Sequence, residues 1–575
     1  MPGGADAFSV APGVRGPPRM NPWSIGLLVL VAVLAPVVVC LSALVRRERG
    51  VQPEPPPQPS PLPPSGPLPD EDHVGIILVH GIGEQRRFEH LNSQSRDLIA
   101  ALHRQRALGM GIDTVSVDIA PRGAAALHAT QDTWNAGPDA SVTVMVDHHI
   151  NGRKRRTRLL VHEVWWADVN EPYSIAKQFR FWLWGLAVWA HPAKMASGLG
   201  SATRVAPPVV PHLSRVWDRL RLWMVGCFFV LLGYSIGTFT FLITRVFDIQ
   251  APEILRTMAN YISAVKLYNQ ERRFGPGLWW AREDFLDSID EPPRVSVRRR
   301  MIRAIADVAC NHYDRWYVLA HSQGAVVAFN GLMETAYAWP GYLDEQRWYR
   351  LKADGLAGRG RSGMTPPSPP IVPRRPGWVD PYEIAYRSRI FHRLRGFLTY
   401  GSPLEKFAGI WPALVPINRE KTFRPNIPWL NIYDPMDPVS GKHLAFQNQQ
   451  PECCPPARDF GYAASWWLLL AHLKYLTMRK PLANLATRTT RWVLTDDANE
   501  VIDHPMGRAI GKWFATGGAQ ETKRQVVAWL TWILAALALT LLGAIVLPAV
   551  WETAIAAGRA VWLTLVHVTT GQPSG

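Results

Sequence analysis

Cysteine is scarce, with five in 575 residues. Cys40 and Cys227 sit inside apolar runs, and Cys453 and Cys454 are adjacent. No framework of paired cysteines can be drawn from these, and the usage points to a reducing compartment. Charge is also thin, at 19% of residues, and acids are the smaller part, 46 Asp and Glu against 62 Lys and Arg. Motifs for bound groups are missing too. His162-Glu163 lacks the second histidine of H-E-x-x-H, and there is no G-x-x-x-x-G-K-[ST] loop. Neither a metal nor another cofactor is expected. No repeat at a solenoid period is visible, and nothing in the chain speaks to oligomeric state.

What is present is apolar: 47% hydrophobic residues, including 25 tryptophans. That content excludes a chain disordered throughout. The length suits two or three domains, or one large α/β domain with insertions. A formal charge of +16 would suit a nucleic acid, but Arg153 to Arg156 and Arg298 to Arg300 are short, scattered groups without interleaved aromatics. The excess is read as a solvated or lipid-facing surface, with no nucleic-acid partner expected and a lipid bilayer in its place.

Uncharged runs lead to the bilayer. Asn21 to Val45 carries no charge and ends at Arg46, Arg47 and Arg49; Leu222 to Thr244 and Gln525 to Trp551 are likewise uncharged. At about 1.5 Å per residue, roughly 20 residues cross a hydrocarbon core of about 30 Å. Residues 21–45 and 525–551 are predicted transmembrane helices, the first a retained anchor because no small-residue cleavage site follows it. Residues 181–190 and 553–570 are too short or too mixed to span and read as interfacial. The expected organisation is a tail (1–20), an anchor (21–45), a linker (46–70), an α/β domain (71–500), a second span (525–551) and an interfacial C-terminal segment (552–575). The linker is Pro-rich over 51–69 and extended in character. Within the domain, 105–295 reads as an insertion and 354–376 as a mobile loop.

Strand and helix patterns alternate through that domain, as in a doubly wound, mostly parallel sheet covered on both faces. Val74 to His80, Trp316 to Ala320, Gly396 to Tyr400 and Trp429 to Tyr433 read as strands. Ala325 to Tyr337 and about 463–478 read as helices. Ser141 to His148 and Arg156 to Trp165 flank Asn151-Gly152 and resemble a hairpin whose connection exceeds two residues.

Ala320-His321-Ser322-Gln323-Gly324 lies between the strand WYVLA and the helix AVVAFNGL. A nucleophile on a tight strand-to-helix turn needs small neighbours, because its backbone is strained and its hydroxyl must clear the sheet. Gly324 meets that need, and Ala320 stands where G-x-S-x-G has glycine. His80-Gly81-Ile82-Gly83 ends the first strand, where glycines let the backbone offer an N–H to a developing oxyanion. A serine needs a base, and the base needs an orienting acid. Asp437, just beyond the strand Trp429 to Tyr433, is preferred to Asp434 as the acid. His472 completes the order Ser, Asp, His; His443 is its competitor, and His321 reads as structural.

LVHGIGEQ, AHSQGAVVA, LTYGSPL, NIYDPMDPVSG and HLKYL, in that order, resemble the α/β-hydrolase superfamily, in particular its lipase- and esterase-like membrane members. The resemblance covers about 70–110, 295–335 and 395–480. It implies Ser322 as nucleophile, His472 as general base and then acid, Asp437 as its orienter, and the backbone N–H groups of Ile82 and Gln323 as the oxyanion hole. The implied activity is a membrane-anchored serine hydrolase cleaving carboxylic esters, plausibly of lipids or other apolar acyl compounds. An acyltransferase with the same triad is the nearest alternative, and a catalytically silent scaffold the more distant one.

Membrane parity constrains this reading. His80 precedes the Leu222 to Thr244 run while Ser322, Asp437 and His472 follow it, so an odd number of crossings between them would split the site. A hydrophobic hairpin that dips into one leaflet, or packs on the domain beside the bilayer, satisfies the constraint. Arg46, Arg47 and Arg49, with Lys512, Lys523 and Arg524, place the α/β domain on the cytoplasmic side.

Overall fold

The computed structural model describes residues 71–81, 89–118, 141–150, 152–166, 293–360, 375–410, 427–437, 439–447, 455–466, 468–476, 484–502 and 513–531, with a few isolated positions. The chain divides into two units, residues 1–57 with 535–575, and residues 58–534. The second holds everything that follows. The runs 21–45, 181–190, 222–244 and most of 525–551 lie outside the described residues, as do nearly all of 553–570 and the linker. Among the described residues no helix is long and apolar enough to cross a membrane.

The elements in chain order are β1 (Glu71–Val79), α1 (Glu89–Ala107), β2 (Ile112–Asp118), β3 (Ser141–Ile150), β4 (Arg153–Val164), α2 (Pro293–Cys310), β5 (Arg315–His321), α3 (Gly324–Leu332), α4 (Glu345–Ala353), β6 (Ala357–Arg359), β7 (Glu383–Ala385), β8 (Leu394–Tyr400), α5 (Leu404–Ile410), β9 (Trp429–Tyr433), β10 (Ala457–Tyr462), α6 (Leu468–Leu473), α7 (Leu485–Thr495) and β11 (Trp513–Phe514), apart from turns of helix under five residues. A helical run follows over residues 519–531. Nine strands form one mixed sheet in the order β11-β10-β9-β8-β5-β1-β4-β3-β2. The six from β10 to β4 are parallel, and β3 and β11 run antiparallel to their neighbours. The protein is therefore of the α/β class.

β1 sits in the middle of the sheet because its run from Val74 to Val79 is apolar on both faces. Ile76 and Leu78 enter one core with Tyr317, Leu319 and residues of α1 and α7. Ile77 and Val79 enter the other, with Val318, Ala320 and residues of α2 and α3. An alternating strand could fill only one of these cores; a continuous apolar strand fills both.

Four readings of the sequence need correction. β2, β3 and β4 are strands of the main sheet, β4 lying directly beside β1, so the stretch 105–295 is not an insertion throughout. Their polar outer positions and antiparallel pairing disguised strands that belong to the core. The β3–β4 hairpin runs from Ile150 to Arg153, leaving only Asn151 and Gly152 between the strands, with Gly152 at φ 77°. Its connection is thus the two-residue kind that an Asn-Gly pair favours. The loop proposed at 354–376 begins as structure, since β6 pairs with β7, and Arg375 donates to the carbonyls of Tyr337, Asp380 and Glu383. The helix expected over about 463–478 is shorter, Leu468–Leu473. The amide of Ala464 donates to Asp434 Oδ2 instead of entering a helical ladder.

Candidate active site

β1 and β5 are adjacent and parallel, with Val79 opposite Ala320. The helices that follow them, α1 and α3, pack into opposite cores. Chains leaving neighbouring parallel strands toward opposite faces open a crevice at the strands' carboxyl ends. His80-Gly81 and Ser322 stand at that crevice.

The crevice is tight at two glycines. A Cβ at Gly324 would lie 2.4 Å from the His80 carbonyl oxygen and 2.5 Å from that of Val79. A Cβ at Gly81 would lie 2.5 Å from Ser322 Cβ. The turn after β5 can close against the end of β1 only because both side chains are absent. Ser322 adopts φ 55°, a left-handed conformation that costs a non-glycine residue on the order of 1 kcal/mol. Its amide donates to the Tyr400 carbonyl at the end of β8 (3.0 Å), and its carbonyl accepts from Ala325 as α3 begins. The strained turn is thus bonded on both sides.

Three side chains from distant parts of the chain meet there. His472 Nε2 lies 2.9 Å from Ser322 Oγ, and His472 Nδ1 lies 2.9 Å from Asp437 Oδ2. With Nδ1–H donated to the carboxylate, Nε2 accepts the serine proton. Asp437 belongs to a turn directly after β9, in which its amide donates to the Asp434 carbonyl (2.9 Å). Its Oδ1 accepts from the Val439 amide (2.8 Å), and Oδ2 also accepts from the Tyr475 hydroxyl (2.9 Å). Burial works to raise the Asp437 pKa; His472, the Val439 N–H and Lys406 outweigh it and hold the carboxyl below the usual range. Ser322, Asp437 and His472 are all buried.

Asp434, three residues away, faces another partner. Arg524 donates from Nε to Oδ1 (2.9 Å) and from Nη2 to Oδ2 (2.7 Å), while Met436 N–H donates to Oδ1 (2.9 Å). Burial pushes this carboxyl up despite Arg524 and Met436. His443 packs edge-on against Trp429 with burial holding it neutral, its pKa lowered to about 3. The imidazole that meets Ser322 Oγ is that of His472. The ring of His321 stacks between Tyr400 and His472, and its Nε2 is 2.9 Å from the His472 carbonyl oxygen. That placement fixes the base helix relative to the serine turn. Ile82 and Gly83 lie outside the described residues; Gln323 is the N-cap of α3, so its amide stands at the start of that helix.

His80 has both ring nitrogens engaged. Nε2 accepts from the Trp166 amide (3.0 Å), so Nδ1 carries the hydrogen and donates to the Gly81 carbonyl (2.6 Å). The imidazole is stacked on the Trp166 indole, 5.0 Å and 6° apart, and burial lowers its pKa to about 4. It is a neutral brace between the ends of β1 and β4.

Sequence reasoning missed Trp166, Tyr400, Tyr475 and the Asp434–Arg524 pair. Tyr475 had a signal, since it lies three residues after His472, the spacing at which helical side chains meet. Trp166 and Arg524 had none, because their partners are 86 and 90 residues away. Among the described residues no group of three or more His, Cys, Asp or Glu side chains is placed to hold a metal ion. No family model, no curated protein and no solved structure matches this chain, so its chemistry has to be argued from the geometry.

Proposed function

We propose that the protein is a serine hydrolase of the α/β-hydrolase type, anchored in a membrane and cleaving carboxylic esters through an acyl-enzyme on Ser322. The observation that carries the reading is the unbroken chain Ser322 Oγ to His472 Nε2 to Asp437 Oδ2, 2.9 Å at each link, on a positive-φ turn between β5 and α3. A structural hydroxyl has no need of a strained turn, an imidazole and a buried carboxylate in series. The parallel centre of the sheet, with the nucleophile after a middle strand, also supports the α/β-hydrolase assignment.

The steps balance as acyl transfer. Ser322 Oγ attacks the ester carbonyl carbon as its proton passes to His472 Nε2. The carbonyl π pair moves onto oxygen, facing the N–H of Gln323 and, on this reading, that of Ile82. The C–O bond to the alcohol then breaks, and His472 returns the proton to the departing oxygen. Water, deprotonated by His472, releases the acid and restores Ser322. Asp437 holds the imidazole in the required tautomer.

Apolar exposure beside the base supports an apolar acyl substrate. Leu473, next to His472, is 68% exposed, and Trp466 is 52% exposed, in a protein whose flanking sequence is rich in uncharged runs. On this reading residues 21–45 and 525–551 are the anchors and the α/β domain faces the cytoplasm.

Labelling with a fluorophosphonate tests the assignment. Wild type is expected to be labelled and Ser322→Ala not; equal labelling of both would overturn it. Hydrolysis in the presence of a competing alcohol separates the two acyl-transfer activities, free acid marking the hydrolase and transesterified product the acyltransferase.

A further inference from the structure

The helical run over residues 519–531 leads into the last long uncharged stretch of the sequence, Gln525 to Trp551. Its buried residues are Glu521, Arg524 and Ala528, spaced to form one face. That face grips the candidate site at two places. Arg524 is bidentate on Asp434 and bonds the Ser465 carbonyl through Nη2 as well, with its guanidinium 4.5 Å from the Trp466 ring centroid. Ala528 packs in a small cluster with Met436, of the acid's own turn, and Ala471, the residue before the base. Glu521 holds Lys442, beyond the same turn, at 2.7 Å.

Asp434 and Asp437 open and close a single turn, the Asp437 amide bonded to the Asp434 carbonyl at 2.9 Å. A force on the Asp434 carboxylate is therefore transmitted to the carboxylate that meets His472. We propose that Arg524 is a positioning residue: through Asp434 it fixes the acid turn while Ala528 fixes the base helix, so that the root of the C-terminal apolar segment sets the Asp437–His472 alignment. The inference rests on the triad reading above. It adds a dependence of that site on Arg524, 52 residues beyond its last member His472, so displacing the segment would slow the site without touching Ser322, His472 or Asp437.

The test uses the full chain in detergent or liposomes and reads the rate constant of fluorophosphonate labelling beside the melting temperature. Arg524→Met is expected to slow labelling about 10- to 100-fold, and Arg524→Lys to recover part of the loss. In an Asp437→Asn background, Arg524→Met should cost less than about 2-fold, because the residue it positions is already gone. Should Arg524→Met fail to fold by leaving Asp434 buried and unpaired, the double variant Asp434→Leu/Arg524→Met removes both charges and is expected to fold and still label slowly. Labelling within 2-fold of wild type in whichever of these folds, or an equal loss with and without Asp437, overturns the proposal. Wild type that does not label at all overturns the triad reading instead.

Discussion

The two ends of β1 are built on different rules. At its amino end, Glu71 pairs with Arg158 at 2.9 Å and Asp72 with Arg155 at 3.6 Å, both arginines half exposed. The His73 amide donates to Asp314. Pairs with a half-exposed arginine are each worth about 0–1 kcal/mol, because water replaces a lost partner and long side chains rearrange; the nearly buried Arg315, 3.1 Å from Asp72, is held more closely. At its carboxyl end, His80 is buried and bonded to Gly81 and Trp166, Ser322, His472 and Asp437 are buried and bonded in series, and two glycines stand where a methyl group would meet other atoms at about 2.5 Å. There, water cannot substitute and the backbone cannot yield. The same strand thus carries one end that tolerates change and one that does not, and chemistry that needs fixed distances belongs to the second.

Substitutions can break that comparison, beginning with the largest effect expected. Asp437→Asn should lower ester hydrolysis by about 10²- to 10⁴-fold by releasing the His472 tautomer, measured by steady-state turnover at unchanged melting temperature. Gly324→Ala should cost about 3 kcal/mol or more, since its Cβ meets backbone carbonyls and not a movable side chain; chemical denaturation would show it, and a wild-type midpoint would refute the packing argument.

Acid should sharpen the contrast next. Burial holds His80 at about 4 and His321 at about 3, below the 6.5 of a free imidazole. Above pH 6.5 both folded and unfolded chains are neutral at these sites, and stability is full. Between about 6.5 and 4 the unfolded chain takes up protons that the folded one refuses, so stability falls with pH. At pH 5 each histidine contributes a loss on the order of 2 kcal/mol, which melting temperatures at pH 7.5 and 5 would register. Smallest of all, Glu71→Gln should cost under about 1 kcal/mol and leave turnover unchanged. A large loss there would erase the distinction between the ends.

How much was legible in the sequence follows the same division. The continuous apolar strands β1, β5 and β9 announce themselves, and the positions of Ser322, Asp437 and His472 follow from what stands at strand ends and in what order. The structure brings these three side chains together, and it puts Asp434 on Arg524. What stayed hidden depends on pairing at long range. β2 to β4 are polar on one side, and only their register beside β1 shows that they complete the sheet. β10, with Arg458 and Asp459 inside it, lacks a periodic signal strong enough to separate it from loop. Trp166 and Arg524 act through partners that no local spacing reveals.

Timing follows from the distance between Gly81 and Arg524. About 440 residues separate the turn at the end of β1 from the guanidinium that grips the acid turn. At roughly 5–20 residues per second, synthesis takes on the order of 20–90 s to traverse them. The cover of β1 is completed in stages over that interval, since α1 follows it at once, α2 and α3 begin only at residues 293 and 324, and α7 only at residue 485. A ribosome stalled before residue 524 would therefore hold a chain whose acid turn still lacks the guanidinium that Asp434 faces.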